Sequence, residues 1–283
     1  MNASASVPTD NDFTKTLDDA FSRHTDAGMP ATLAPVSFAR PAAFGQPVEG
    51  AALTDTGCVR ARNEDSYLLR PDVGLFAVAD GMGGHAAGHV ASALCVEALS
   101  MAVSGPIDED PRLLLPRAIE AANTRIRARA EAQIHLSGMG TTVAALWLHE
   151  GWAVIAHVGD SRVYRIRGGR LDPLTLDHSL VGAAIRHGQL TREEAEMLGP
   201  CNVLTQALGT RDTVSVEVAE VPVQPGDRFL ICSDGISDLI SDDDIARTLD
   251  AYDTPAGAVR SLALQAMDAG GKDNLTAVVV DAR

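Results

Sequence analysis

Apolar residues recur densely from Ala51 to the end of the chain, in short runs separated by turn residues. Short runs rich in β-branched, leucine and aromatic residues are typical of β-strands. The pattern predicts strands at 66–70, 74–79, 141–149, 152–158, 162–167, 214–221, 227–233 and 274–280. Because few residues separate the three strands between 141 and 167, we expect these three to pair as an antiparallel meander.

Helical spacing of small and apolar residues marks the segments between these strands. Residues 90–103 form one predicted helix, and Asp110-Pro111, an N-cap followed by proline, begins the next. Ser241 and Thr254 are the predicted N-caps of two more helices. Strands in antiparallel groups and helices in pairs indicate an α+β fold built in layers, not an alternating βαβ sheet.

Two parts of the chain depart from this pattern. Residues 1–47 are rich in Ala, Pro, Ser and Thr and lack a sustained apolar period, which predicts a flexible N-terminal extension. Residues 177–209 are looser and hold two short predicted helices, the second beginning at a capping box of Thr191 and Glu194. We therefore expect the folded domain to span 48–283, with 177–210 as a subdomain beside its core.

The stretch VADGMGGHAAG, residues 78–88, follows a predicted strand with an aspartate and then several glycines. Gly81, Gly83 and Ala86 match the dinucleotide-binding pattern G-x-G-x-x-A. That pattern requires a second strand ending in an acid about 20 residues later, whereas the residues found there continue a helix. An acid beside a pyrophosphate would also repel it, so the match does not account for Asp80.

Acidic residues stand at the ends of several other predicted strands. Strands that share a core bring their ends together, so these carboxylates are expected to converge at one rim. The residues concerned are Glu64, Asp65, Asp80, Asp160, Asp234, Asp238 and Asp273. Each acid taken alone would more commonly be a turn or N-cap residue, and only their joint placement indicates a site.

Such a cluster requires neutralisation. At about 5 Å and an effective dielectric near 20, each pair of like charges costs roughly 3 kcal/mol. Two or three divalent cations would balance the charge, and an all-oxygen ligand set without a His/Cys cluster favours Mg²⁺ or Mn²⁺ over Zn²⁺. Gly81 fits this interpretation because, without a side chain, its carbonyl can approach an ion closely.

Composition narrows the function classes further. The 283 residues are 46% hydrophobic and carry a formal net charge of −15, which supports a folded core and argues against a nucleic-acid partner. The four cysteines are far apart, so we expect a reducing compartment and not a disulfide framework. Without a visible secretory signal or an apolar run long enough to span a membrane, the sequence predicts a cytoplasmic protein.

Eight motifs, in order, give the chain a marked resemblance to the metal-dependent protein phosphatases (PPM, the type 2C-like serine/threonine phosphatases), especially their bacterial branch. They are DTGCVRARNED, ADGMGGHAAG, MGTTVAAL, HVGDSRVY, DHSL, NVLTQALG, CSDGISD and GGKDN, and the resemblance covers about residues 51–281. It implies a four-layer α-β-β-α sandwich of two antiparallel sheets flanked by helices, with a binuclear Mn²⁺ or Mg²⁺ centre at one end. It also identifies 177–210 with the family's flap.

The resemblance assigns roles to four residues at the centre. Asp80 bridges two metal ions, and the carbonyl of Gly81 binds one of them. Asp234 and Asp273 complete the coordination of the second ion. The implied reaction is hydrolysis of phosphoserine and phosphothreonine in proteins by a metal-activated water.

The surrounding residues are assigned in the same way. Glu64 and Asp65 hold metal-bound waters, and Asp160 and Asp238, with Asp234, form a weaker third ion site. Arg60 matches the arginine that grips the substrate phosphate, a role that suits the planar fork of a guanidinium. Phosphorylated proteins are the implied substrates, and a cognate Ser/Thr protein kinase is the implied partner.

The chain departs from the family in the residues available to protonate the leaving alcohol. Met82 stands where many eukaryotic members have histidine, and His89 stands where bacterial relatives often have glutamate. A metal-bound water or His85 remains as the general acid. A catalytically weak regulator that binds phosphoproteins with the same fold is the alternative function, although no metal carboxylate and no phosphate-binding arginine is lost. A phosphatase of small phosphate esters is a further alternative.

Overall fold

The structure is a computed structural model that describes residues 35–41, 47–83, 87–105, 107, 109–191, 194, 195, 197 and 203–283. Among these residues, none of the helices is long and apolar enough to cross a membrane.

Most strands belong to two antiparallel sheets. The six-stranded sheet consists, in spatial order, of Val36–Pro41 (β1), Pro47–Asp55 (β2), Leu275–Ala282 (β13), Arg228–Cys232 (β12), Arg162–Arg167 (β9) and Arg170–Pro173 (β10). The five-stranded sheet consists of Glu217–Pro222 (β11), Trp152–Val158 (β8), Val143–His149 (β7), Leu75–Ala79 (β4) and Ser66–Arg70 (β3). A short separate pair joins Gly81–Met82 (β5) to Gly140–Thr141 (β6).

The described helices flank these sheets. They are Gly88–Ala102 (α1), Pro111–Ala132 (α2), Leu180–Arg186 (α3), Asp234–Ser237 (α4), Asp242–Ala251 (α5) and Pro255–Asp268 (α6), with a 3₁₀ turn at Ile134–Leu136. The predicted N-caps are present: the side chains of Asp110, Ser241 and Thr254 each accept a hydrogen bond from a backbone N–H in the first turn. These bonds satisfy donors that a helix start otherwise leaves unpaired.

Three apolar clusters hold the layers together. Leu99 and Ile119 of α1 and α2 pack with Trp147 on the outer face of the five-stranded sheet. Leu262 of α6 packs on the outer face of the six-stranded sheet. A third cluster, which includes Phe76, lies between the sheets. The architecture is therefore the four-layer α-β-β-α sandwich that the sequence predicts, and each buried large apolar side chain stabilises it by about 1.5–3 kcal/mol.

The predicted meander is wrong at its third strand. β7 and β8 pair antiparallel, but β9 crosses to the six-stranded sheet, where Val163 pairs with Ile231 of β12. Gly159 makes the connection with φ +107°, a conformation that favours glycine. After the crossing, Val163 of β9 and Ile155 of β8 lie in the same apolar cluster between the sheets, although their strands belong to different sheets.

The sheet also begins earlier than the predicted domain boundary. Residues 36–41, which the sequence analysis assigns to the N-terminal extension, form β1 and pair with β2. The ring of Phe38 stacks on Phe76 with centroids 5.3 Å apart, over Gly50, where an added Cβ would lie 2.3 Å from the Phe38 ring. Residues 1–34 and 42–46, where flexibility is predicted, lie outside the described residues.

Candidate metal centre and active site

Acidic residues from both sheets meet at one end of the sandwich, as the strand-end pattern predicts. Asp80 directly follows β4, and Asp160 follows β8 after one glycine. Asp234 begins α4, with one residue between it and the end of β12, and Asp238 is the C-cap of that helix. Glu64-Asp65 precede β3, and Asp273 stands two residues before β13.

The proximity of these acids is evident in their electrostatics. Burial raises the pKa of Asp80 well above its usual range, and the charges of Asp65, Asp234 and Asp160 raise it further. Burial likewise raises the pKa of Asp65 to about 7 and that of Asp160 to about 8. Asp234 raises the pKa of both neighbours through like-charge repulsion. In the absence of cations, this end of the molecule therefore retains protons near neutral pH.

The remaining aspartates belong to the same group. Burial raises the pKa of Asp234, with a further rise from the charge of Asp273. Burial raises the pKa of Asp238 to about 6, again with repulsion from Asp234. Hence the structure brings together all six aspartates that the sequence analysis selects.

Three oxygens of this group fit a divalent cation. Glu64 Oε1, Asp65 Oδ1 and Asp234 Oδ1 are buried and accept no hydrogen bond within the described part of the chain. A buried acceptor without a donor costs about 1–3 kcal/mol, so such oxygens are uncommon in a folded protein. Carboxylate oxygens are the ligands that Mg²⁺ and Mn²⁺ prefer, so the residues present fit the predicted ions.

Hydroxyl groups that the sequence analysis did not select hold Asp80 in place. The Asp80 carbonyl accepts hydrogen bonds from Thr141 Oγ1 (2.8 Å) and the Thr142 N–H (2.9 Å), while Thr142 Oγ1 accepts one from the Asp80 N–H (3.0 Å). Thr142 Oγ1 also lies 2.7 Å from Ser161 Oγ, next to Asp160. These bonds interrupt the predicted strand 141–149 at Thr142. In the sequence, both threonines lie in the motif MGTTVAAL.

Two further polar residues, which border β12 and β13 of the six-stranded sheet, support the two acids that precede β3. Ser233 Oγ donates a hydrogen bond to Asp65 Oδ2 at 2.9 Å, which leaves only Oδ1 of that carboxylate unsatisfied. The side-chain oxygen of Asn274 accepts from the Glu64 N–H at 2.8 Å, and its amide donates to the carbonyls of Thr56 and Arg62. Asn274 thereby fixes the loop that carries Arg60 and Glu64 next to Asp273.

Packing also requires glycine at position 81, in addition to the close approach to an ion that the sequence suggests. An added Cβ would lie 2.3 Å from the carbonyl oxygen of Gly88 and 2.4 Å from that of Glu64. The start of α1 and the Glu64 loop therefore press directly on Gly81, and a side chain would force them apart. Ser92 Oγ of α1 donates to the same Glu64 carbonyl at 2.6 Å.

Arg60 lies at the rim of the acid group. Its Nη2 donates to Asp273 Oδ2 at 2.6 Å, and the side chains of the two residues are 54% and 31% exposed. The structure thus brings together the residue predicted for phosphate and one predicted for metal. His85 lies outside the described residues, whereas His89 lies on α1 against Arg62, whose Nη1 is 3.3 and 3.4 Å from the two ring nitrogens.

Hydrogen bonds connect the segment that begins at residue 177 to residues beside the acid group. Asp177 receives a two-pronged hydrogen bond from Arg162, which is two residues after Asp160. Thr141 and Leu208 exchange backbone hydrogen bonds of 3.1 and 2.8 Å, so the return of this segment pairs with the strand that supports Asp80. Thr191 and Glu194 form the predicted reciprocal capping box.

A histidine pair lies beneath this segment, beside a cavity of about 620 Å³ lined by α3 and residues 215–218. The rings of His157 and His178 stack with centroids 4.6 Å apart, and burial lowers both pKa values. The Gly159 N–H donates to His178 Nδ1 at 3.2 Å, so neutral His178 carries its proton on Nε2, which faces Glu217 at 3.3 Å. Nδ1 is engaged and Nε2 is protonated, which leaves His178 without a lone pair for a metal.

Comparisons with known proteins agree with this geometry. The family model for Protein phosphatase 2C matches residues 59–269. The chain is 39% identical over 231 residues to the serine/threonine protein phosphatase PstP of Mycobacterium tuberculosis, a match that covers 82% of this chain but only 44% of PstP. It is 38% identical over 240 residues to the protein phosphatase PhpP of Streptococcus pneumoniae, covering 82% of this chain and 97% of PhpP.

A solved structure extends the similarity from the sequence to the fold. The catalytic domain of PstP in complex with two manganese ions superposes with a TM-score of 0.75 at 38% identity, over 83% of this chain and 98% of that domain. With three quarters of its length in the family match and relatives of 38–39% identity, the chain belongs to the protein phosphatase 2C family of metal-dependent protein phosphatases.

Proposed function

We propose that this chain hydrolyses phosphoserine and phosphothreonine in proteins, with Mn²⁺ or Mg²⁺ as its cofactor. The observation that carries the proposal is the set of buried carboxylate oxygens without hydrogen-bond donors, Glu64 Oε1, Asp65 Oδ1 and Asp234 Oδ1, in a group that Arg60 borders. Bound divalent ions would neutralise these carboxylates and activate a water for attack on phosphorus.

We propose for each residue the role that the resemblance to the family implies. Asp80, Asp234 and Asp273, with the carbonyl of Gly81, hold two ions. Glu64 and Asp65 orient the waters around them, and Asp160 and Asp238 offer a further, weaker site. These last two extend the carboxylate group from Asp234 toward Asp177, where the segment after β10 begins.

Arg60 is proposed to bind the substrate phosphate. Its guanidinium reaches the acid group and is half exposed, so a phosphate arriving from solvent can meet it. A planar fork binds two phosphate oxygens at once and fixes the orientation of the third. The contact with Asp273 holds the fork at the edge of the centre before substrate arrives.

The physiological role expected for this activity is the reversal of Ser/Thr phosphorylation. Relatives such as PstP are serine/threonine protein phosphatases, which supports phosphoproteins as substrates. We propose that a Ser/Thr protein kinase acting on the same proteins is the functional counterpart of this chain, and that both work in the cytoplasm.

The test is hydrolysis of a phosphothreonine peptide with added Mn²⁺. EDTA should abolish activity, and Asp80→Asn and Asp273→Asn should each lower kcat at least about 100-fold, because loss of even an outer metal contact costs 10–100-fold. Asp250→Asn, at an exposed position of α5, is the matched control. Full activity of either site variant would overturn the metal assignment, and phosphopeptide binding without hydrolysis by the unaltered chain would favour the regulator.

A further inference from the structure

We propose that Arg62 and His89 form an anion subsite beside the active centre, which takes a carboxylate or a second phosphate that flanks the phosphorylated residue of the substrate. This inference rests on the proposed phosphatase function and adds a substrate class to it. The two residues come from different elements, the loop before β3 and the first turn of α1.

The first observation is the manner in which the two side chains meet. Arg62 Nη1 lies 3.3 Å from Nε2 and 3.4 Å from Nδ1 of His89. A single guanidinium nitrogen therefore makes the whole contact with the ring. Because a guanidinium presents its N–H donors in a rigid fork, this contact leaves those of Nε and Nη2 for another acceptor.

The second observation is that Arg62 has no ion-pair partner among the residues that the structure describes. Arginines elsewhere in this acidic chain are mostly paired: Arg60 with Asp273, and Arg162 with Asp177. Within the described ranges, Arg62 is exposed and forms no ion pair, and its side chain makes no hydrogen bond besides the contact with His89. A cation that a strongly acidic protein keeps unneutralised at the rim of its site is suited to an anion from outside.

The third observation is position. The Arg62 carbonyl accepts a hydrogen bond from the Asn274 amide at 3.0 Å, one residue from Asp273. His89 follows Gly88, whose carbonyl packs on Gly81. Both side chains therefore start within one or two residues of the backbone around the centre.

The geometry limits which substrate residues reach the subsite. An extended peptide rises about 3.3–3.6 Å per residue. With its phosphoresidue at Arg60, an acid within about three residues comes within reach of Arg62, because Arg60 and Arg62 leave the same loop two residues apart. The subsite is thus expected to favour acidic or multiply phosphorylated segments over neutral ones.

The experiment compares peptides that differ only beside the phosphothreonine. One set moves a single aspartate through three positions on each side, a second set carries a non-hydrolysable phosphonate at those positions, and a neutral peptide has asparagine throughout. We expect higher kcat/KM for acidic peptides at one or two positions. Arg62→Gln should abolish that preference, a change of about fivefold, which is the size of one exposed ion pair, with p-nitrophenyl phosphate hydrolysis unchanged.

Matched variants separate a local from a general charge effect. Arg260→Gln removes the same charge from an exposed position on α6. This position is distant from the end of α6, near which Gly271 contacts Cys58 of the loop that carries Arg62. It should retain the preference. Arg62→Glu should reverse it, and His89→Gln should weaken it. Higher ionic strength should reduce the preference of the unaltered chain because exposed charges are screened.

Each outcome is decisive. Preference in the aspartate set alone identifies a carboxylate as the ligand, and preference in the phosphonate set alone identifies a phosphate. Equal rates on acidic and neutral peptides, or equal losses on both in Arg62→Gln, would overturn the subsite. If the unaltered chain hydrolyses neither peptides nor p-nitrophenyl phosphate, the proposed function fails instead, and calorimetric binding of the same peptides then tests the subsite by itself.

Discussion

Replacing Asp160 by asparagine should stabilise the metal-free protein and reduce the further stabilisation that added Mn²⁺ provides. Burial and the charges of Asp234, Asp177 and Asp238 raise the pKa of Asp160 to about 8. In the unfolded chain an aspartate has a pKa of about 3.9. Between these two values the folded protein retains a proton that the unfolded chain releases, so the free energy of unfolding falls as pH rises.

The size of the effect follows from the two pKa values. One unit of difference corresponds to about 1.4 kcal/mol. The carboxyl group of Asp160 therefore costs the folded state roughly 1.5 kcal/mol at pH 5 and roughly 4 kcal/mol at pH 7, and the cost levels off above pH 8. Asparagine has no such titration. The pKa values of Asp234 and Asp238 are raised as well, so protons bound there relieve part of the repulsion, and the measured gain should fall below these values but keep their order.

Urea unfolding in EDTA at pH 5, 6, 7 and 8 measures the free energy of unfolding of both proteins. The advantage of Asp160→Asn should grow steadily with pH, whereas Asp250→Asn should show no such trend. Mn²⁺ should then raise the melting temperature of the unaltered protein more than that of Asp160→Asn, because binding to the folded state alone stabilises it. An advantage independent of pH, or a loss at pH 7, would refute the reasoning.

Two further results are expected. Arg60→Ala should raise KM for a phosphothreonine peptide roughly tenfold or more, as loss of a charged hydrogen bond does, while the Mn²⁺ affinity measured by calorimetry changes little. Arg60→Lys should restore only part of the loss. An unchanged KM would show that Arg60 is a surface residue without a role in phosphate binding. A chain beginning at residue 48 lacks β1 and the Phe38–Phe76 stack, which should lower the free energy of unfolding by about 2 kcal/mol. Its melting temperature, measured by circular dichroism, should therefore lie about 4–8 °C below that of a chain beginning at residue 33. Equal melting temperatures would show that β1 contributes nothing.

The limits of sequence reasoning are clearest at β8 and β9. Both runs were recognised as strands because of their β-branched and apolar residues, and their short connection resembled a hairpin. β8 is buried along nearly its whole length, so it lacks the alternation that would show which face meets which layer. A strand's type is a local property, whereas the sheet to which it belongs depends on long-range packing such as that which places Ile155 and Val163 in one cluster between the sheets.

At the site, the acids were predictable and their supports were not. Strand ends converge in any layered fold, so Asp80, Asp160 and Asp234 were recognisable as a group from sequence position. The motifs MGTTVAAL and CSDGISD contain Thr142 and Ser233 but do not indicate what their hydroxyls contact, since threonine is a common strand residue and serine a common turn residue. Only the fold shows that their hydroxyls hold Asp80 and Asp65.

The seam between the two sheets runs through the acid group. Asp80 and Asp160 follow strands of the five-stranded sheet, while Asp234 and Asp273 border strands of the six-stranded sheet. Repulsion between carboxylates of the two sheets, such as Asp80 and Asp234, therefore acts to separate the layers, and a cation bound between them would hold the layers together. The concentration of available metal would then affect how strongly the two sheets pack together, as well as whether the metal centre is occupied.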